Sequence, residues 1–168
     1  MDLRWINGAV VGLALGLLSM AGTTREARLT APDARLAALE SEVAGAPNDA
    51  GPLLELTGVY LDAAQPGMAL ALLERASVET RRNPEVTHAL ARALFEDGRT
   101  REALATELKA LDACGESMCK NRLLAQATRR VEFFQAVVDL GVENPLLSPD
   151  AVQLAYARSS REVRLEVQ

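Results

Sequence analysis

The sequence predicts an all-α protein, built of antiparallel helical hairpins in tandem behind an N-terminal apolar segment. Residues 53–76 and 87–110 carry one apolar pattern at an offset of thirty-four residues without a gap. Inside that pattern Leu53, Leu56 and Tyr60 recur at i, i+3 and i+7, which is one face of a helix. The hydrophobic fraction is 49% but aromatics supply only 4%, so the core must come from Leu, Ala and Val. Small side chains of that kind let helices approach closely. A chain of 168 residues has room for one such domain and a tail.

From Trp5 to Thr24 the chain carries no charge, with Arg4 before the run and Arg25, Glu26 and Arg28 after it. About twenty uncharged residues can cross a bilayer as a helix. The same run also has the parts of a signal peptide: Arg4, a dense apolar stretch from Ala9 to Leu18, and small residues at Ser19 and Ala21 for cleavage. Residues 1–24 are therefore expected to be a transmembrane anchor or a signal peptide, and 25–32 a linker. A buried core helix is the third reading. Gly8, Gly12 and Gly16 lie four apart, a spacing that lets membrane helices touch backbone to backbone. Glycines of a signal segment would give the same spacing with no contact. Either main reading places the protein at the cell envelope, anchored in the inner membrane through residues 5–22 if uncleaved, or exported to the periplasm. Lys109 and Lys120 are the only lysines, and this arginine-rich, Ala- and Leu-rich composition suits a high-GC bacterial genome.

Pro32 and Asp33 open the first helix of the domain, with Leu36, Leu39 and Val43 on one side and Gly45 at its end. In the repeat, Leu56 aligns with Leu90, Tyr60 with Leu94, Ala64 with Gly98, Ala69 with Ala103, Leu70 with Leu104 and Ala76 with Ala110. Pro66 falls early in a helix, where its missing N–H costs nothing. Gly98 is expected as a left-handed helix end, and Thr100 as the cap of the next helix. Leu124, Ala127, Val131, Phe134 and Val138 then form a seam at spacings of three and four, which predicts one long capping helix ending at Gly141. Ser148, Pro149 and Asp150 start a short helix reaching about Arg158. Glu162 to Val167 alternates polar and apolar, the period of a strand. That tail reads as an edge for another chain, a frayed end or a helix extension. The repeat domain is thus expected over 33–141, and the C-terminal helix and strand-like tail over 142–168.

The residues Leu53, Leu56, Tyr60, Ala69, Leu73 and Ala76, then Leu90, Ala91, Leu94, Gly98, Ala103 and Ala110, give the chain its resemblance to the tetratricopeptide repeat family. Pro47 and Pro84 resemble the family's closing proline, Pro84 a few residues late. Thr57, Thr87 and Glu107 depart from the pattern. The resemblance covers roughly residues 33–131, and a plain helical bundle is the alternative. It implies an α-solenoid that binds a protein partner along a groove lined by the first helix of each pair. The inward positions carry over to Leu54, Gly58, Leu61 and Asp62, to Glu85, His88, Arg92, Phe95 and Glu96, and to Arg122, Gln126, Arg129 and Arg130. Arginine forks suit carboxylates, so an extended peptide with an acidic end would fit; an ordinary solvated face is the alternative. The family's Lys/Asn carboxylate clamp is not reproduced. The resemblance thus implies a non-catalytic interaction scaffold, or alternatively a structural subunit of a larger envelope assembly.

Chemistry is sparse. His88 is the only histidine, so sites built on several histidines are excluded. Neither a phosphate loop nor a nucleophile motif is present, so no catalytic residue, metal or cofactor is expected. A net charge of −5 gives no support for nucleic acid. Cys114 and Cys119 do not have a zinc spacing. In an exported chain they can form a disulfide, and in a cytosolic one they would pack as free thiols.

Overall fold

The computed structural model describes the backbone of residues 31–117 and 119–165. Two compact units are distinguished, residues 1–34 and 35–168, and the second holds the helical domain. The anchor or signal segment, the contact glycines Gly8, Gly12 and Gly16, and the start of the linker lie outside the described residues. No helix of the described residues is long and apolar enough to cross a membrane.

Every regular element among the described residues is helical. In chain order they are α1 (Ala31–Gly45), α2 (Ala50–Asp62), α3 (Pro66–Arg75), α4 (Val78–Arg81), α5 (Pro84–Glu96), α6 (Thr100–Ser117), α7 (Asn121–Asp139), a 3-10 turn (Pro145–Leu147) and α8 (Pro149–Leu165). Local chemistry sets most starts. The Asp49 carboxylate accepts from the Gly51 N–H at 3.0 Å, Ser77 Oγ from the Thr80 N–H at 3.1 Å, and Asn83 Oδ1 from the Glu85 N–H at 2.9 Å. Each occupies a donor that the helix itself leaves unpaired. Pro66 and Pro84 both stand at the first position of a helix. Pro84 therefore opens α5, and the expectation that it closes a repeat is corrected. The lateness of that proline has a cause: the short helix α4 intervenes.

Three helices end in one way. Ala64, Gly98 and Gly141 have φ of 55°, 88° and 72°. Behind each, an N–H reaches back five residues: Gln65 to the Tyr60 carbonyl at 2.8 Å, Arg99 to Leu94 at 2.9 Å, Val142 to Val137 at 3.2 Å. This is the Schellman arrangement, which satisfies carbonyls at the helix end through one left-handed residue. Gly98 behaves as expected. Thr100 does not, because its hydroxyl donates to the Glu143 carbonyl at 3.2 Å across the fold.

Packing follows chain order. α2 packs on α3, both pack on α5, then α5 on α6, α6 on α7 and α7 on α8. At the crossings Ala69 and Ala103 are fully buried, as are Leu73 and Glu107 four residues on. Leu53, Leu56, Leu73 and Val86 anchor the main core, each contributing about 1.5–3 kcal/mol by leaving water. α1 joins through Leu39 and Val43, and Tyr60 Oη donates to Glu40 at 2.7 Å.

α7 differs from expectation. Its buried residues are Leu123, Ala127, Phe134, Ala136 and Val137, while Leu124 is 45% exposed. The seam is turned toward the preceding residue because α7 has neighbours on two sides. α8 packs on it, and Ala136, Val137, Val142 and Ala155 form a second core between them. The strand-like tail is also corrected: Glu162 to Leu165 is helical, the last turn of α8. A helix already nucleated at Pro149 adds one hydrogen bond per residue, whereas an isolated strand has no partner to pair with. Residues 166–168 lie outside the described part.

Candidate functional site

The face formed by α2, α5 and α7 carries a run of charged contacts. Arg92 on α5 reaches Asp62 on α2 at 3.3 Å and Glu96 one turn along at 2.7 Å. Burial works against the Arg92 charge, but the contacts to Glu96 and Asp62 together outweigh it and hold its pKa above the usual value. Arg130 on α7 donates from Nη1 to the His88 carbonyl on α5 at 3.1 Å. Behind it lies Glu107 of α6, with no exposed surface. One Glu107 oxygen is hydrogen-bonded to His88 Nδ1. The other has no hydrogen-bond partner and sits 4.0 Å from Arg130 Nη1. Burial lowers the Arg130 pKa, opposed by the charge of Glu107.

The expected groove residues divide into two groups. Asp62 and Arg92 meet between α2 and α5, and His88 meets Arg130 between α5 and α7, as two separate sets of contacts. Arg122, Gln126 and Arg129 are exposed on α7, and Gln126 and Arg129 line a cleft of about 480 Å³ with Arg130, Phe133 and Tyr156. The apolar members are not open side chains. Leu54 packs on the main core, and Leu61 is 5% exposed. Phe95 stacks on Phe134 at 4.7 Å and meets Phe133 edge-on at 5.3 Å. Leu61 and Phe95 do share a cavity, but its far wall is Pro145, Leu146, Pro149 and Val152. Both cavities on this face thus have the C-terminal segment as one wall. Glu85 is drawn aside by Lys120 at 3.3 Å.

Cys114 and Cys119 are joined by a disulfide, with Cα atoms 4.9 Å apart, at the corner between α6 and α7. No group of three or more metal-ligating side chains occurs among the described residues.

Sequence reasoning missed two parts of the site. Glu107 was noticed only as a departure, although an acid at the position equivalent to Leu73 signals a buried charge that needs partners. The α8 wall was also missed. Its signal was the small-residue stripe Ala151, Ala155 and Ser159 at spacings of four, which lets a helix lie close against aromatic neighbours. No family model, curated protein or solved structure matches the chain.

Proposed function

We propose that the protein is a non-catalytic interaction scaffold of the bacterial cell envelope, built of tetratricopeptide-type hairpins, which holds a segment of a partner protein along the α2–α5–α7 face. The observation that carries this reading is a pair of contacts, Arg92 to Asp62 between α5 and α2 and Arg130 to the His88 carbonyl between α7 and α5, which tie the three helices into one face. Beside it lie exposed polar side chains on α7, Arg122, Gln126 and Arg129. The thirty-four-residue period supports the repeat assignment, since Ala69 and Ala103 are buried alike one period apart. The envelope assignment rests on the uncharged run Trp5 to Thr24.

The experiment is site-specific photocrosslinking in cells, with the crosslinker at Gln126 on the face or at Lys109 on the outer side of α6. The expected result is a discrete crosslinked partner in the envelope fraction from Gln126 and none from Lys109. Equal crosslinking from both positions, or a protein found wholly in the soluble cytosolic fraction, contradicts the proposal.

A second reading, a permanent subunit of a larger envelope assembly, is favoured by one feature. Leu146, Leu147, Leu154 and Tyr156 are 65%, 80%, 58% and 67% exposed, all in the C-terminal segment. Apolar surface gathered in one segment marks contact with another molecule. Such a subunit self-associates or aggregates when purified alone, whereas a scaffold stays monodisperse.

A further inference from the structure

We infer that the cleft between α7 and α8 receives an acidic segment of the partner that also carries a large apolar side chain. This rests on the scaffold reading and names the chemistry of the partner. The chain is acidic overall, at −5, and many of its basic side chains are answered: Arg35 by Glu55, Arg92 by Asp62 and Glu96, Arg99 by Glu102, Lys120 by Glu85. Arg122 and Arg129 have no ion-pair partner among the described residues, and both are exposed on one stripe of α7, seven residues apart.

Arg129 lines the cleft, and Arg130 lines it beside Arg129. The hydrogen bonds of Arg130 all leave from Nη1, so its Nε and Nη2 keep donors in the fork geometry that carboxylates accept. Glu107 stands behind Arg130 and fixes its place rather than competing from the front, since that carboxylate is wholly buried. The other end of the cleft is aromatic. Tyr156 meets Phe133 edge-on, with centroids 6.2 Å apart, and Tyr156 is 67% exposed. Glu132 also lines the cleft and repels a second acid placed beside the aromatic pair. The arrangement therefore sets a direction: carboxylates toward Arg129 and Arg122, the apolar side chain against Phe133 and Tyr156.

The test uses the full-length chain on an array of acetylated, amidated six-residue peptides, each position varied over glutamate, lysine, phenylalanine and serine. The expected result is enrichment of glutamate followed by phenylalanine, with affinity at least tenfold weaker for Arg122→Glu/Arg129→Glu and falling as salt rises. Tyr156→Ala weakens the phenylalanine preference and leaves the glutamate preference. Met68→Ala, exposed on α3 and outside the cleft lining, changes neither. Equal binding of lysine peptides, or peptide binding unaltered by the double charge reversal, overturns the inference. So does a homodimer that the same reversal dissolves, because the occupant is then a second copy of this chain. If the array shows no acidic preference while Gln126 still crosslinks an envelope partner, the inference fails and the scaffold reading stands. Loss of both results removes both.

Discussion

Glu107 holds in α6 the place that Leu73 holds in α3, thirty-four residues earlier, and both are fully buried. In the first hairpin the place is filled by packing alone. In the second it is filled by a charge answered by His88 and Arg130. The same crossing is thus apolar in the first hairpin and polar in the second, behind the α2–α5–α7 face.

The first prediction follows from that exchange. Glu107→Leu alone removes one partner and leaves Arg130 partly buried without its counter-charge. Because the Arg130 side chain is 26% exposed and can turn outward, the expected loss is about 2–3 kcal/mol, below the range for a wholly buried pair. Glu107→Leu/Arg130→Met restores an apolar crossing and recovers stability to within about 1 kcal/mol of the wild type. Urea unfolding of the three proteins checks this, and equal losses in both variants would sink it.

Ala64 and Gly98 give the second prediction. Ala64 is a non-glycine residue at positive φ, a conformation in which a Cβ is crowded. Ala64→Gly is expected to stabilise the fold by about 0.5–1 kcal/mol. Gly98→Ala should do the reverse and more. A Cβ there meets Asn144 Oδ1 at 2.8 Å, and that oxygen already accepts from the Leu146 N–H. Thermal melting of the two variants should move in opposite directions.

Tyr60 gives a pH dependence at the alkaline end. Burial, then the hydrogen bond and charge of Glu40, push its phenol up to about 12. A raised acid pKa means the folded state keeps a proton that the unfolded chain releases near its ordinary value of about 10. The contribution is therefore complete below pH 10 and is lost as pH rises through 12. Tyr60→Phe should flatten that part of the stability profile while leaving the neutral region unchanged in slope.

Reduction of Cys114–Cys119 provides the fourth. The loop it closes is short, with a separation of five residues, so the chain-entropy gain is near the low end, about 2 kcal/mol. Urea midpoints with and without reductant measure it. Cys114→Ser/Cys119→Ser should give the same loss and become insensitive to reductant.

The helices of the repeat were legible because burial of one face at a fixed offset writes itself into the sequence. Leu53, Tyr60, Ala69 and Ala103 fall where the period puts them. The end of the chain was less legible because two physical signals compete there. Alternation from Glu162 to Val167 has the strand period, but the helix start at Pro149 had already committed the segment to a helix. Phe95 illustrates the limit at the site. Its position on α5 was readable, yet its burial depends on Phe133 and Phe134, which are nearly forty residues away and whose approach no local pattern encodes. The disulfide was open for a different reason: compartment decides it, and spacing does not.

The loop after α7 touches more than its sequence neighbours. Glu143 takes the Thr100 hydroxyl, Asn144 lies against Gly98, and Leu146 shares a cavity with Leu61 of the first hairpin. A row of hairpins joined only to adjacent ones can unzip from its free end, a turn at a time. A tie from the loop before α8 back to α5 and the start of α6 blocks that route at this end. Opening α8 with that loop must then loosen α5 and α6 as well, and their amides should exchange with solvent together with those of α8, in one cooperative event instead of a gradient along the stack.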